Sequence, residues 1–187
     1  PARPWTGYVQ PYTDTPLDRE AVGQSVYLNL INRATRYVYI TTPYLVIDYS
    51  LTMALTAAAK SGVDVRIITP HIPDKKTVFE VTQACYEELI EAGVRIFEYT
   101  PGFIHGKNFV VDDKYATVGT VNLDYRSMFL HFENGVLLYG TPTVSDIYED
   151  FLDTQSKSVE ITLDDCRRVP LYRRLLRDAL RLMAPLL

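Results

Sequence analysis

The feature that most constrains the fold is an alternation of strand-like and helical segments over the first hundred residues. YVYITT (37–42), VDVRIIT (63–69) and VRIFEY (94–99) are rich in β-branched and aromatic residues, as buried strands are. The stretches between them, 50–60 and 74–92, have helical spacing, and each is closely followed by a glycine. Strands that alternate with helices through short connections predict an α/β fold with parallel neighbouring strands.

The pattern changes after about residue 100, where strands follow one another without long helices between them. Residues 104–111 and 115–118 predict a hairpin, and residues 130–139 predict a further strand. Strands connected in this way are usually antiparallel. We therefore expect an α/β fold with a mixed sheet flanked by helices on both faces, forming a single domain over residues 1–187.

The two ends of the chain depart from this alternation. Residues 1–18 contain four prolines and predict an extended segment. Residues 164–184 predict one amphipathic helix, rich in arginine and leucine. Two interpretations of this helix stay open. It lies on an anionic membrane surface, or it packs its leucines on its own domain and leaves its arginines in water.

Composition narrows the possible partners. The formal net charge is −4, from 19 basic and 23 acidic residues, whereas nucleic-acid binders usually carry a basic excess. Two cysteines are too few for a disulfide framework, so we expect free thiols. No run of about 18 apolar residues predicts a membrane span. The first residue is proline rather than methionine, so we expect the chain to be a piece of a longer parent.

The residues that carry chemistry lie within HGKNFVVDDKYATVGTVN, residues 105–122. In a strand, His105 and Lys107 point to the same side, because side chains alternate with a period of two. An imidazole beside an ammonium offers a nucleophile or base next to a positive charge, and reaction at a phosphate group needs both. Asp112 has an odd offset from His105, so we expect it to fix the turn or a neighbouring helix rather than to contact substrate.

The returning strand of the hairpin brings three further residues to the His105 end. Gly119 allows a close backbone approach, Thr120 offers a hydroxyl, and Asn122 offers an amide donor to a phosphoryl oxygen. Glu133, in the following strand, is the best candidate for a carboxylate that accepts from the far nitrogen of the His105 ring and fixes its tautomer. We therefore predict a phosphoryl-binding site in which His105, Lys107, Asn122 and Glu133 are catalytic.

This pattern resembles the HKD signature of the phospholipase D superfamily, with a threonine where serine is commoner. The matching positions are His105, Lys107, Asp112, Gly119, Thr120 and Asn122. Longer segments, among them TTPYLVID (41–48) and VGTVNLDYRSMFLHFENGV (118–136), resemble the C-terminal half of bacterial cardiolipin synthases. The resemblance covers nearly the whole chain and implies one phospholipase D-type half-domain.

The resemblance also implies a mechanism. In this superfamily two HKD motifs face each other, one histidine forms a phosphohistidine, and the other protonates the leaving alcohol; no metal and no cofactor are needed. Only one such motif is present here, because His71 and His131 lack a lysine two positions later. The implied partner is a second HKD half, from the same parent chain or from a homodimer mate. The implied substrate is a phospholipid, phosphatidylglycerol, and Lys107, Thr120 and Asn122 would bind its phosphate.

Three hypotheses follow from these implications. The first is phosphatidyl transfer between phospholipids to make cardiolipin, at a bacterial cell membrane reached through the parent, with this piece itself soluble on the cytoplasmic side or membrane-peripheral. The second is a single-motif nuclease or phosphodiesterase that acts as a homodimer; the acidic charge balance counts against this alternative. The third is a non-catalytic module that docks on a membrane surface or a partner through residues 164–184. Arg126 either contacts a lipid phosphate or pairs with a loop carboxylate such as Asp124, and Tyr44 is placed to line the site.

Overall fold

A computed structural model describes residues 6–183 of this chain. Residues 1–5 and 184–187 lie outside the described residues, and with them the first part of the predicted extended segment and the last residue of the predicted C-terminal helix. Within residues 6–183 the strands are β1 (Tyr8–Asp14), β2 (Tyr37–Thr41), β3 (Leu45–Val46), β4 (Asp64–Pro70), β5 (Arg95–Tyr99), β6 (Asn108–Val111), β7 (Tyr115–Gly119), β8 (Leu123–Asp124), β9 (Glu133–Tyr139) and β10 (Ser158–Ile161). The helices are α1 (Val22–Arg33), α2 (Tyr49–Lys60), α3 (Lys76–Ala84), α4 (Tyr86–Glu91), α5 (Tyr125–Phe129), α6 (Pro142–Ser156), α7 (Leu163–Arg167) and α8 (Leu171–Leu182).

Eight of these strands form one mixed sheet in the order β1-β9-β7-β6-β2-β4-β5-β10. The strands β2, β4 and β5 pair in parallel, and all other neighbours in the sheet are antiparallel. The helices α1, α2 and α4 pack on one face of the sheet, and α6 packs on the other. The predicted mixed α/β sheet with helices on both faces is therefore confirmed.

The central strand β2 shows why a nearly continuous apolar run forms here. Its residues alternate between the two faces, with Val38 and Ile40 in the core under α1 and α2, and Tyr37 and Tyr39 in the core under α6. Both faces are covered, so every residue of the strand is buried. Short β3 and β8 pair in parallel as a separate two-stranded ladder near the end of β2.

The predicted extended segment is an ordered edge strand over its described part. Residues Tyr8–Asp14 form β1 and pair antiparallel with β9 along their whole length. Pro11 is tolerated in this strand because β1 is the sheet edge, where one side of the backbone needs no strand partner. The sequence pattern indicated extension but not pairing, since residues 8–14 carry no clear apolar alternation.

The turn between β6 and β7 is fixed by the carboxylate of Asp112. Asp112 has a positive φ of 54°, and its two oxygens accept hydrogen bonds from the backbone amides of Thr35, Arg36 and Tyr37 and from the Thr35 hydroxyl, at 2.7–2.9 Å. These bonds hold the pKa of Asp112 below its ordinary value even though partial burial acts to raise it. The carboxylate thus ties the β6–β7 hairpin to the segment that leads into β2.

The C-terminal region differs from the single amphipathic helix predicted over 164–184. Val169 and Pro170 separate two helices, because proline cannot donate the amide hydrogen bond of a continuing helix. In α8 the arginines face the protein and form ion pairs with Glu80, Glu87 and Glu88 of α3 and α4. The expectation that the arginines face water was therefore wrong. Leu180 packs against Val46 and Val81. Most other apolar side chains of α8 and the adjoining residue are instead exposed to solvent by 50–85%: Leu171, Tyr172, Leu175, Leu176, Leu182 and Met183.

Replacing Asp112 with asparagine should destabilise the fold by about 3 kcal/mol at neutral pH, because an amide NH₂ then faces backbone N–H groups that have lost their acceptor. Asparagine tolerates a positive φ, so the backbone conformation itself is little penalised. The lowered pKa means that the carboxylate stabilises the fold above its unfolded pKa of about 3.9, and that this contribution disappears as the pH falls through the folded pKa.

Urea denaturation of both proteins between pH 3 and pH 7 would measure this difference, which should shrink at the acidic end. Asp113→Asn is the control, because Asp113 also has a positive φ but is exposed, and its carboxylate accepts from the side chains of Arg36 and Tyr37 rather than from backbone amides. We expect a smaller loss for this variant. Equal losses for the two variants, or a gap that does not depend on pH, would contradict the role of Asp112.

Candidate active site

The predicted site residues meet at one edge of the sheet, where β2, β4 and β7 end and β6 begins. The register places Thr41 of β2 opposite Asn108 of β6, and Asn108 opposite Val118 of β7. The carboxyl ends of parallel strands are where α/β sheets usually form binding crevices. His105 and Lys107 come just before β6 rather than inside a strand, which corrects the predicted strand over 104–111.

The imidazole of His105 is exposed and lies between two aromatic rings. Its centroid is 5.4 Å from that of Phe103 and 6.4 Å from that of Tyr44, which meets it edge-on. Partial burial and then the positive charge of Lys107 lower the pKa of His105 from its ordinary value, and Asp74 opposes them. The lowered pKa favours the neutral ring, the form in which a histidine acts as a nucleophile or a general base.

Lys107 lies beside His105 and is held by the same loop. Its ammonium donates a hydrogen bond of 2.8 Å to the backbone carbonyl of His105. Burial lowers the pKa of Lys107, while the carboxylates of Glu133 and Asp124 act to raise it. The loop thus presents an exposed neutral imidazole next to a partly desolvated cation, the combination that attack on a phosphate diester requires.

The side chains of Thr120 and Glu133 form a hydrogen bond with each other, and neither forms one with His105. The Thr120 hydroxyl donates to the Glu133 carboxylate and accepts from the amide of Asn134 at 3.0 Å. Pairing of Gly119 with Gly135 across β7 and β9 brings these side chains together. Within residues 6–183, the His105 ring has no hydrogen-bond partner, so the expected orientation of His105 by Glu133 is not present in this chain alone.

The closeness of β7 and β9 explains the glycine at position 119. A Cβ at this residue would lie 2.3 Å from the carbonyl oxygen of Asn134, which is far below a normal contact. Glycine at this position therefore allows β7 and β9 to approach closely, and this pairing places Thr120 and Asn122 at the edge of the site.

Asn122 is held by a short polar network at the start of α5. Its amide nitrogen donates to the Ser127 hydroxyl at 2.9 Å, and the Ser127 amide donates to the Asp124 carboxylate at 2.7 Å. The amide oxygen of Asn122 is buried and has no hydrogen-bond donor within residues 6–183. Burial raises the pKa of Asp124. This network fixes the Asn122 side chain at the edge of a cavity described below.

Sequence reasoning missed several residues of this region. The sequence did not assign Asp74, Lys75 or Ser127 to the site. It also did not predict that the Asp124 carboxylate accepts a hydrogen bond from the Ser127 amide. The signal for the first two was available, since they follow β4, and β4 pairs in parallel with β2 and so ends at the same edge. Ser127 had no such signal, because its role depends on the turn that α5 makes after β8.

Within the described part of the chain, no three His, Cys, Asp or Glu side chains converge in a way that could hold a metal ion. The predicted site residues that meet at this edge form a cluster: His105, Lys107, Thr120, Asn122 and Glu133. A cavity of about 80 Å³ adjoins this cluster and is lined by Asn122 and Tyr44, among other residues. A larger apolar cavity of about 610 Å³ lies between α1 and the sheet, against Val26, Leu30 and Leu137, and contains none of the cluster residues. None of the helices within residues 6–183 has the length and apolar character needed to cross a bilayer.

Replacing Lys107 with methionine should raise the pKa of His105, because a neighbouring positive charge disfavours the imidazolium form. NMR titration of the histidine Cε1–H resonances would measure it. Lys114→Met is the matched control, since Lys114 lies at the opposite end of the hairpin. An unchanged His105 pKa in Lys107→Met, or an equal shift in both variants, would contradict the electrostatic coupling.

Solved structures with the same fold include one small protein and one larger enzyme. Nuc of Salmonella typhimurium, a phospholipase D family member, matches with a TM-score of 0.71 at 20% identity, over 84% of this chain and 99% of Nuc. Phosphatidylserine synthase of Haemophilus influenzae Rd KW20 matches with a TM-score of 0.74 at 19% identity, over 96% of this chain and 48% of the synthase. The fold is therefore the phospholipase D-type fold, present once here.

Sequence comparison gives the family. Residues 27–154 match the family model described as cardiolipin synthase, PLD-like domain. Cardiolipin synthase of Halalkalibacterium halodurans and cardiolipin synthase 2 of Bacillus anthracis are each 38% identical to this chain, over 97% and 98% of its length. The chain belongs to this family of cardiolipin synthase PLD-like domains. It spans 36% and 35% of the lengths of these two relatives.

Proposed function

We propose that this chain supplies one half of a phosphatidyltransferase site that makes cardiolipin, with His105 as one of two paired histidines. The observation that carries the proposal is the exposed His105 ring held beside Lys107, with Asn122 at the same sheet edge. Family membership supports a phospholipid as the substrate. The presence of one HKD motif, in a chain that spans just over a third of its relatives, supports the second half coming from elsewhere.

The proposed reaction has two displacements at phosphorus. A ring nitrogen of His105 attacks the phosphodiester of one phosphatidylglycerol, so that a P–N bond forms and the P–O bond to glycerol breaks. The histidine of the second half gives its proton to the departing glycerol oxygen. The hydroxyl of a second phosphatidylglycerol then attacks phosphorus, loses its proton to that second histidine, and breaks the P–N bond to release cardiolipin.

Two residues of this chain would stabilise the charge that develops on the phosphoryl oxygens. The Lys107 ammonium is partly desolvated, and a cation in such a setting interacts more strongly with an anion than one in water. The Asn122 amide supplies hydrogen bonding from a fixed side chain. Lys107 would exchange its hydrogen bond to the His105 carbonyl for one to a phosphoryl oxygen. The assignment of which of the paired histidines attacks stays a part of the proposal.

Glu133 has a different proposed role from the one expected at first. Glu133 is 6% exposed, and its carboxylate accepts a hydrogen bond from the Thr120 hydroxyl. Its negative charge also acts to raise the pKa of Lys107. We propose that Glu133 holds Thr120 and balances the charge of Lys107 while the site is empty. Thr120 then shapes the site through this bond instead of binding substrate directly.

Replacing His105 with alanine should abolish cardiolipin formation from phosphatidylglycerol vesicles in any assembly that contains both halves. Mass spectrometry after a rapid alkaline quench should find a phosphatidyl adduct on the His105 peptide, because the P–N bond survives under those conditions. His71→Ala is the matched control, since His71 is exposed and bonds to Glu98 of β5 rather than to the cluster. Retained turnover in His105→Ala would remove this residue from the mechanism.

A second candidate function, which can coexist with the first, is docking on a phospholipid bilayer through α8. Successive helix positions turn by about 100°, which puts the exposed apolar side chains of α8 on one side and its arginines on the other. Each of the four arginines forms an ion pair with Glu80, Glu87 or Glu88. Docking would therefore be driven by apolar burial rather than by attraction to anionic lipid.

Flotation with phosphatidylglycerol vesicles would test this docking. Leu175→Ser combined with Leu182→Ser should abolish flotation, because both side chains are more than 60% exposed on the apolar face. Arg181→Gln is the control, since it changes charge on the protein-facing side. Raising the salt concentration from about 0.1 to 0.5 M should have little effect, although it would weaken an electrostatic contact. Binding that is lost in high salt and unaffected by the leucine substitutions would contradict apolar docking.

The nuclease alternative finds less support. The likeness to Nuc shows a shared fold, and the formal charge of −4 offers no general attraction for nucleic acid. The arginines of α8, the richest basic segment of the sequence, are paired with glutamates and do not form a free basic patch.

A further inference from the structure

The small cavity beside Asn122 is lined by two cationic side chains, Lys75 and Arg126, that have no role in the proposed mechanism. Its volume is about 80 Å³, several times the roughly 10–15 Å³ that a single water needs on the same kind of measure. The side chains of Lys75, Arg126 and His131 line it, together with Asp124. Within residues 6–183, neither Lys75 nor Arg126 has a carboxylate within ion-pair distance, so the pairing of Arg126 with Asp124 considered from the sequence is absent. All four arginines of α8, by contrast, are paired.

The cavity is close to the reacting histidine. The ring of Tyr44 lines the cavity, and its centroid is 6.4 Å from that of His105 and 5.8 Å from the Lys75 ammonium. The Tyr44 hydroxyl is anchored by the Asp74 carboxylate at 2.6 Å. The Tyr44 ring is therefore next to both the candidate nucleophile and the Lys75 ammonium. Asn122, one of the predicted site residues, also lines this cavity.

The acidic groups of this region do not cancel the two free cations. The Asp124 carboxylate is occupied by the Ser127 amide, and its burial raises its pKa, which weakens its tendency to carry charge. The Glu133 carboxylate is bonded to Thr120 and lies 4.0 Å from the His131 ring nitrogen. Asp74 is bonded to Tyr44. Lys75 and Arg126 are thus the exposed charged groups of the cavity without a partner of their own.

Two anions must come close together in the proposed transfer. The acceptor phosphatidylglycerol brings a phosphodiester of its own, separated from its attacking hydroxyl only by the headgroup glycerol. That phosphodiester must lie a few ångströms from the phosphoryl group on His105, and the two negative charges repel each other. A binding site for the second phosphodiester would have to be cationic and next to the first one.

We propose that the cavity lined by Lys75 and Arg126 binds the phosphodiester of the acceptor phospholipid, an inference that rests on the proposed function. Arg126 can give two parallel hydrogen bonds to phosphate oxygens, and Lys75 adds a point charge. Water, the competing acceptor, has no phosphate and gains nothing from this site. The cavity therefore favours transfer over hydrolysis, since it raises the occupancy of the lipid acceptor alone.

Transfer and hydrolysis in an assembly with both halves give distinct products, cardiolipin and phosphatidate. Arg126→Gln should lower the ratio of cardiolipin to phosphatidate by about tenfold, the usual effect of losing one charge-assisted hydrogen bond. It should raise the KM for the acceptor and leave the rate of donor cleavage almost unchanged. Lys60→Gln is the matched control, because Lys60 ends α2 at the opposite edge of the sheet. An unchanged product ratio in Arg126→Gln would overturn the proposal.

Binding to this chain alone separates the inference from the proposed function. NMR titration with glycerophosphoglycerol, the soluble headgroup of phosphatidylglycerol, should shift the His131 ring signals in the unsubstituted chain and in Lys60→Gln, but not in Arg126→Gln. The Arg126 Nε–H signal should shift in the two chains that contain this arginine. The absence of these shifts, or equal binding of inorganic phosphate, would overturn the acceptor site. Specific headgroup binding at Arg126 in a chain whose assemblies make no cardiolipin would support the anion site while the proposed function fails.

Discussion

The carboxylate of Asp112 fixes the arrangement on which the candidate site depends. It accepts four hydrogen bonds from the segment Thr35–Tyr37 and so joins the β6–β7 hairpin to the start of β2. The residues before β6 and after β7 then emerge at the other end of the hairpin, beside the ends of β2 and β4. A hydrogen-bond network at one end of the sheet thus determines where His105 and Asn122 lie at the other end.

The sequence was sufficient for the elements whose periodicity is strong. The strands β2, β4 and β5 and the helices between them could be predicted, because strands covered on both faces are rich in apolar, β-branched and aromatic residues. The position of His105, Lys107 and Asn122 at one edge followed from the hairpin. The orientation of individual side chains did not follow, because Thr120 and Glu133 bond each other only through the register of β7 with β9.

The C-terminal helix shows a second limit of sequence reasoning. Its alternating arginines and leucines give an amphipathic pattern, but the pattern does not say which side faces the protein. That choice is made by the glutamates of α3 and α4, which are distant in sequence and pair with the arginines. The apolar side of α8 then faces solvent. The arginines, which the sequence suggested could bind an anionic surface, form ion pairs within the chain instead. Within residues 6–183, Lys75 and Arg126 line the cavity beside the candidate site and have no carboxylate within ion-pair distance.

The central claim is that this chain holds half of an active site and cannot turn over by itself. Sedimentation equilibrium, combined with a phosphatidylglycerol assay across the same range of protein concentration, tests it most directly. The account predicts no cardiolipin from the monomer of 21.3 kDa, and activity only where an assembly of at least twice that mass, or one with a supplied second half, is present. Cardiolipin synthesis by the 21.3 kDa monomer would contradict the claim.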